Sequence, residues 1–108
     1  MLIVSPHWGI EYQKEPTEKM RQWAYQFIDS GADAVIGAHP HIIGDIEEYN
    51  GKKIFYSLGN FAFDQYFSEE TMNGIVVEML VHKKERINIQ YKLINVRIDK
   101  NGVKTQGY

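Results

Sequence analysis

The sequence contains no cysteine, which excludes a disulfide framework, a thiolate zinc site and a cysteine nucleophile. It also lacks any apolar run approaching the roughly 20 residues that a bilayer-spanning helix needs. Neither charge sign dominates, since the formal net charge is −2, and no basic field is available to attract nucleic acid or an anionic membrane. Any metal must therefore be held by histidine, carboxylate or amide side chains.

The composition that is present is typical of one globular domain. The chain has 108 residues, of which 44% are apolar and 24% are charged, so it can bury a modest core. Residues 2–4, Leu-Ile-Val, read as a buried strand at the very start of the sequence, where a polar lead-in is more usual. We therefore expect part of the domain to lie upstream of Leu2.

The first third of the chain has the pattern of a βαβ unit. Residues 2–4 and 32–37 are short apolar runs that predict two parallel strands about 30 residues apart. Between them, Pro16 suits the first helical position and Gly31 the C-terminal cap. Apolar residues recur between these limits at the three- and four-residue spacing of an amphipathic helix. They are Met20, Trp23, Ala24, Phe27 and Ile28.

After the βαβ unit the pattern changes to antiparallel hairpins. Residues 43–49 and 52–58 flank Asn50-Gly51, the dipeptide that favours a type I′ turn. A second Asn-Gly pair, Asn101-Gly102, predicts the same kind of turn near the C-terminus.

Two longer strands are predicted between these turns. Residues 75–81 and 87–93 alternate apolar and polar side chains and are joined by the charged segment 83–86. Residues 64–73 have no clear period and predict a long loop. The predicted fold class is therefore α/β (α+β), one βαβ unit followed by antiparallel hairpins.

Three of the four histidines follow the two predicted parallel strands. His7 follows the first strand, and His39 and His41 follow the second on either side of Pro40, which stiffens their loop. Because ligands of open α/β sheets bind at the carboxyl ends of strands, these imidazoles are candidate metal ligands. The alternative is structural: His7 stacks on Trp8, and the other two histidines hydrogen-bond loop carbonyls.

Three sequence blocks resemble the bacterial capsule-synthesis (CapA/PgsA, poly-γ-glutamate) family. They are SPHWGIEY at residues 5–12, GADAVIGAHPH at residues 31–41 and YSLGNF at residues 56–61, and their order and spacing also match the family. The resemblance implies that residues 1–108 are the C-terminal portion of a CapA-like metallophosphoesterase domain. The fold of such calcineurin-like domains is a four-layer αββα sandwich with a dinuclear metal centre.

The resemblance also implies roles for individual residues. His7, His39 and His41 would be ligands of a divalent metal, either zinc, manganese or iron, and Glu11 and Asn60 would lie close by as the candidate catalytic residues. The implied function is a partial metal-dependent, phosphoesterase-like hydrolase of capsule or poly-γ-glutamate synthesis. Its substrate would be a phosphoester or a polyanionic cell-surface polymer, in the cell envelope or the cytoplasm.

The family's earlier blocks have no counterpart in this chain. A Gly-Asp turn, an Asn-Leu-Glu segment and an Asn-Asn-His segment would lie upstream of Leu2, and they would supply the groups that bridge two metals. The alternative function is therefore a non-catalytic remnant or fragment that binds or self-assembles. Such a fragment would leave one sheet uncovered, which predicts a homodimer.

Several other polar residues admit a functional and a structural interpretation. Glu11 has three alternative interpretations: a general base, a hydrogen-bond partner of an imidazole, or a solvated loop acid. Asp33 favours turn capping, and Asp45 favours turn chemistry over a ligand role. Ser57 lacks the Gly-x-Ser-x-Gly elbow of a serine esterase and favours close packing. His82 is predicted to be solvated.

A set of aromatic residues either lines a substrate site or packs in the core, and the core is favoured. The set comprises Trp8, Phe61, Phe63, Tyr66 and Phe67.

Overall fold

The predicted βαβ unit is present at the start of the chain. In the computed structural model, which describes residues 1–106, β1 spans Ile3–Val4, α1 spans Glu18–Asp29 and β2 spans Ala34–Ile36. β1 and β2 pair in parallel, with Ile3 opposite Ala34. Both strands therefore end at the same edge of the sheet, as the sequence predicts.

A side-chain cap begins α1, and backbone conformation ends it. The Thr17 hydroxyl accepts a hydrogen bond from the Met20 N–H at 3.1 Å and satisfies one of the free donors of the first turn. Pro16 precedes this cap, so its predicted place at the first helical position is wrong. Gly31 follows the Ser30 cap with φ +114°, the left-handed conformation that ends helices, and its prediction is confirmed.

One face of α1 forms the core with the first sheet. Met20, Ala24 and Ile28 are buried and pack in one cluster with Val35 and Ile54. Each large apolar side chain buried here contributes roughly 1.5–3 kcal/mol. Trp23, although it fits the apolar spacing, is 41% exposed, because it lies at the margin of the stripe with the Lys19 ammonium 5.0 Å from its ring centroid.

The first hairpin joins the same sheet. β3 spans Ile46–Tyr49 and β4 spans Lys52–Phe55, so both strands are shorter than predicted. Asn50 and Gly51 have φ +49° and +76°, and two successive positive values confirm the type I′ turn. β4 also pairs in parallel with β2, which makes a mixed sheet of order β1-β2-β4-β3.

The second sheet is an antiparallel meander of long strands. β5 spans Asn73–Lys83, β6 spans Ile87–Asp99 and β7 spans Gly102–Gln106, in the order β5-β6-β7. β5 begins where the predicted long loop ends, and the predicted β5–β6 hairpin is confirmed with its turn inside residues 83–86.

The β6–β7 turn differs from its prediction. Asp99 pairs with Gly102, so the two turn residues are Lys100 and Asn101. Gly102 has φ +118°, but Asn101 is not among the described residues with positive φ. The turn is therefore not type I′ at Asn101-Gly102, because the strand register places Gly102 inside the pairing.

The two sheets meet at two places. The Phe55 and Tyr91 rings have centroids 5.5 Å apart, and Gly59 pairs with Gly74 in an isolated bridge. A Cβ on Gly74 would lie 2.1 Å from the Asn60 carbonyl oxygen, so this approach requires glycine. With two sheets and a helix in the described part of the chain, the α+β class is confirmed.

Within residues 1–106, no helix has the length and apolar character needed to cross a membrane.

Candidate metal centre

The histidines converge because the pairing of β1 and β2 continues past their ends. His7 and Ala38 form a parallel bridge, in which the Trp8 N–H donates to the Ala38 carbonyl and the Ala38 N–H donates to the Pro6 carbonyl, both at 3.0 Å. This extension brings His7 beside the loop that contains His39 and His41. The predicted juxtaposition at the carboxyl edge of the sheet is confirmed.

The imidazole rings lie close to one another. Ring centroids are 4.6 Å apart for His7 and His39 and 5.6 Å apart for His39 and His41. His39 and His41 have φ +110° and +65°, values that non-glycine residues rarely adopt. Backbone strain of this kind concentrates at functional sites, where the surrounding structure holds it in place.

Glu11 joins the histidines. One carboxylate oxygen of Glu11 and one ring nitrogen each of His39 and His41 all lie within 4.8 Å of one another. The Tyr12 N–H donates to the Pro40 carbonyl at 2.8 Å and so fixes the Glu11 segment against the histidine loop. His7 reaches the same edge but lies outside this group of three.

The chemistry of this group fits a divalent cation. Two imidazoles and a carboxylate are donors that zinc, manganese and iron accept. A tetrahedral site with bonds of about 2.1 Å places ligand atoms about 3.4 Å apart, so small side-chain rotations would close the group observed here. Glu11 is exposed and the two histidines are half-buried, which leaves the group open to solvent.

Asn60 determines how His41 is oriented. Its side-chain oxygen lies 3.0 Å from His41 Nδ1, and its NH₂ donates to the Thr71 carbonyl at 2.9 Å and to Gln65 Oε1 at 3.2 Å. With both amide hydrogens engaged, the Asn60 oxygen faces the ring, an arrangement that favours the tautomer with the proton on Nδ1 and leaves Nε2 available as a donor atom. Asn60, which is only 6% exposed, thus contacts His41 from the buried side.

Trp8, which directly follows His7, anchors this segment in the core. It is buried, and its Nε1–H donates to the Tyr56 carbonyl at 2.9 Å. A Cβ on Gly37 would lie 2.4 Å from both atoms of this bond, so only glycine fits between them. The Tyr56 hydroxyl donates to Glu47 Oε1 at 2.7 Å, and burial together with this bond raises the pKa of Tyr56, which keeps it protonated.

The aromatic set divides in two. Trp8 packs in the core as predicted, whereas the other four residues are exposed, so their core interpretation is wrong. They lie in the loop that precedes β5, with exposed fractions between 37% and 66%. These residues are Phe61, Phe63, Tyr66 and Phe67.

Part of the loop that precedes β5 flanks the candidate metal centre. The Phe63 ring centroid lies 5.2 Å from that of His41, and Phe67 packs edge-on against Tyr12 at 5.5 Å. Gln65 Nε2 donates to the Tyr12 hydroxyl at 3.3 Å. Neither Tyr12 nor Gln65 was predicted to belong to the site. The position of Tyr12 next to Glu11 in the sequence could have indicated its role, but no sequence feature indicated that of Gln65.

The remaining polar candidates lie apart from the group. Asp33 is at the start of β2, where its carboxylate accepts from the Leu2 N–H at 2.8 Å and from Lys52 at 3.1 Å. The Leu2 hydrogen bond is the largest influence that lowers the pKa of Asp33. Asp33 thus joins distant segments instead of capping its own turn, although its place away from the site is as predicted. Asp45 instead forms an ion pair with Lys14 at 3.8 Å.

Two further expectations concern Ser57 and His82. Ser57 is buried, and its hydroxyl accepts from the Gly59 N–H at 3.2 Å, so it packs closely, as the sequence favours. His82 is exposed on β5, as predicted.

The chain belongs to the bacterial capsule synthesis protein PGA_cap family, whose model matches residues 1–65. The match contains every candidate residue of the metal centre and all of the first sheet. It ends before β5, so the second sheet lies outside it.

Several relatives of the chain have names that refer to the synthesis of a polymer or a capsule. The chain is 46% identical over 76 residues to the PGA biosynthesis protein CapA of Bacillus subtilis, covering 70% of this chain and 20% of that protein. It is 38% identical over 76 residues to the Capsule biosynthesis protein CapA of Bacillus anthracis, covering 70% and 18%. A probable polyglutamine synthesis accessory protein of Mycobacterium tuberculosis is 37% identical over 62 residues, covering 57% and 16%. The chain thus spans a fifth or less of the length of these curated relatives.

Proposed function

We propose that this chain contributes a divalent-metal centre to a phosphoesterase-like hydrolase domain that acts in the synthesis of a capsule or poly-γ-glutamate polymer. The observation that carries the proposal is the grouping of Glu11, His39 and His41 within 4.8 Å at the carboxyl edge of the parallel strands. Membership of the capsule-synthesis family supports the part of the proposal that concerns polymer synthesis.

Each residue of the centre has a role in this proposal. His39 and His41 hold the ion, and His7 lies near enough to His39, at 4.6 Å between ring centroids, to complete the set after a side-chain rotation. A bound zinc, manganese or iron ion would supply Lewis acidity and lower the pKa of a water molecule. With His7 completing the ligand set, the exposed Glu11 carboxylate is not needed as a ligand, and in this proposal it accepts a proton as general base.

Asn60 acts through His41 in this proposal. Its hydrogen bond holds the His41 ring with Nε2 directed away from the buried amide, which is how protein groups commonly orient metal-binding histidines. Asn60 therefore positions a ligand and does not itself meet the substrate.

The architecture is consistent with part of an αββα sandwich. α1 packs on one face of the first sheet, and the second sheet approaches through the Phe55–Tyr91 contact. These elements would supply three of the four layers. The complete sandwich remains an expectation of the proposed function.

Hydrolysis of a chromogenic phosphodiester by the chain loaded with Zn²⁺ or Mn²⁺ tests the proposal. We expect metal-dependent turnover that Glu11→Gln lowers by at least about 100-fold, in the range of general-base effects, while the bound metal is retained. His39→Ala/His41→Ala should lose both the turnover and the metal. Equal rates for the wild type and the double variant would refute the assignment.

A binding or self-assembling module is the second candidate. It is favoured by the exposed apolar side chains outside the metal centre, among them Phe61 at 55% and Leu80 at 55% exposure. Sedimentation at micromolar concentration tests it: a dimer that dissociates on Phe61→Ser or Leu80→Ser supports assembly, and a monomer at all concentrations contradicts it.

A further inference from the structure

Charge is separated along the chain, although the total is nearly neutral. Residues 1–72 contain five Lys or Arg and eleven Asp or Glu, a formal charge of −6. Residues 73–108 contain seven and three, a formal charge of +4. The metal centre therefore lies in an acidic region, and the second sheet is basic.

The cations of the two regions also differ in their partners. In the first region Lys14, Arg21 and Lys52 form ion pairs, and the ammonium groups of Lys19 and Lys53 lie over aromatic rings at 5.0 and 5.8 Å. Every cation of the first region is thus engaged by the protein itself.

The β5–β6 hairpin tip, which we define as residues 81–86, has the opposite character. All six residues are exposed, and Lys83, Lys84 and Arg86 form no ion pair within the described residues. They surround an open hollow that His82, Glu85 and Asn88 also line. Three cations against the single carboxylate of Glu85 give residues 83–86 a formal charge of +2, which concentrates positive potential at the tip.

The tip is far from the metal centre. Gly74, at the start of β5, pairs with Gly59 next to Asn60, and nine residues separate Gly74 from Lys83 along one continuous strand. At a rise of about 3.3 Å per residue, the tip lies about 30 Å along β5 from the centre. A compact ligand at the metal centre cannot reach the tip, but an extended polymer can contact both.

We propose that the β5–β6 hairpin tip is a binding site for a polymer that carries many carboxylates, separate from the metal centre. Lys83, Lys84 and Arg86 pair with successive carboxylates of the polymer. The ligand class rests on the proposed function; the location rests on charge and geometry. Such a site tethers the polymer and raises its effective concentration at the centre.

Fluorescence anisotropy with labelled poly-γ-glutamate of one length fraction tests this site. The variant Lys83→Gln/Lys84→Gln/Arg86→Gln should bind about tenfold more weakly than wild type at low ionic strength. The difference should shrink at physiological salt, where the Debye length is about 8 Å. Circular dichroism of the variant should be unchanged, because all three side chains are exposed.

A charge-matched variant controls for net charge. Lys19→Gln/Lys100→Gln/Lys104→Gln removes three exposed positive charges elsewhere and should change the affinity by less than about twofold. Equal losses in the two variants would overturn the proposal, since attraction would then be diffuse. Undetectable binding by wild type, or tighter binding of a single-stranded DNA oligonucleotide than of poly-γ-glutamate, would also overturn it.

The same titration with metal-free His39→Ala/His41→Ala separates this site from the proposed function. Unchanged polymer affinity in that variant supports an independent tip site, whether or not the wild type binds a metal. Loss of polymer binding in that variant would overturn it, because the polymer would then be held at the metal centre.

Discussion

The two sheets differ in the length of their strands and in the burial of their side chains. The first sheet uses strands of two to four residues, and its strands Ala34–Ile36 and Lys52–Phe55 contribute fully buried side chains such as Val35 and Ile54. The second sheet has two strands of 11 and 13 residues and a third of five, and the distal half of Asn73–Lys83 is mostly exposed. The first sheet packs its side chains in the core next to the candidate metal centre, whereas the second sheet extends away from that centre.

This difference shows why strained loops occur in the first region. His39 and His41 have positive φ, and such strain persists only where neighbouring structure fixes it. The buried Trp8, the ladder through Ala38 and the Tyr12–Pro40 hydrogen bond provide that support. The second sheet has fewer buried side chains, and none of its described non-glycine residues has a positive φ.

Truncating the core of the first sheet should give the largest effect. Ile54 is 0% exposed, and Ile54→Ala should lower the free energy of unfolding by about 3 kcal/mol through lost burial and a cavity. Urea denaturation followed by circular dichroism measures it. A loss of less than about 1 kcal/mol would mean that the first sheet is not the principal core.

Removing the hydrogen bond that anchors Trp8, next to His7, should have the next largest effect. Trp8→Phe keeps an aromatic ring but deletes the donor that meets the Tyr56 carbonyl at 2.9 Å. A buried carbonyl left without its partner costs about 2 kcal/mol. The same denaturation measurement checks this, with Trp23→Phe as a matched control, because Trp23 is 41% exposed and should change stability by less than about 0.5 kcal/mol.

The pH dependence of stability should also arise in the first region. Burial alone would raise the pKa of Glu47, but hydrogen bonds from Tyr25 and Tyr56 and the Arg21 charge outweigh it and hold that pKa below its ordinary value. Ionised Glu47 therefore stabilises the fold fully above the unfolded pKa of about 4.3. This stabilisation is lost as the pH falls through the lower folded value.

Glu47→Gln tests that dependence. With its side chain 27% exposed, we expect a loss on the order of 1 kcal/mol at neutral pH, allowing for solvent screening. The difference from wild type should narrow as the pH falls below about 4. An undiminished difference under acid conditions would show that ionisation is not the cause.

A truncation on the second sheet should have the smallest effect. Leu80 is 55% exposed on β5, so Leu80→Ala should change the free energy of unfolding by less than about 0.5 kcal/mol. A larger loss would show that this face is covered in solution, which would favour self-association. Repeating the measurement over a range of protein concentrations distinguishes that case.

Local sequence rules predicted the parts of the fold that depend on neighbouring residues. Asn50-Gly51 specified its turn and Gly31 ended the helix, and in both cases one short-range constraint was enough. The proximity of His7 and His39 followed instead from the parallel pairing of a βαβ unit. The resemblance carried by the blocks at residues 5–12, 31–41 and 56–61 was confirmed by the family match over residues 1–65.

Contacts between distant segments were not predictable in the same way. A hairpin pattern fixes the partner within the hairpin, but it does not say that Lys52–Phe55 also pairs with Ala34–Ile36. The exposure of Phe63 and Phe67 could not be read from their apolarity, because the loop turns toward the histidines. The Gln65–Tyr12 hydrogen bond joins residues 53 positions apart, and no local pattern encodes it.

The metal content of the purified chain tests the central claim most directly. We predict near-stoichiometric zinc or manganese by elemental analysis after loading and desalting, retained in Leu80→Ala and lost in His39→Ala/His41→Ala. Absence of metal from the wild type, or equal metal in the wild type and the double variant, would contradict the claim that these residues form a divalent-metal centre.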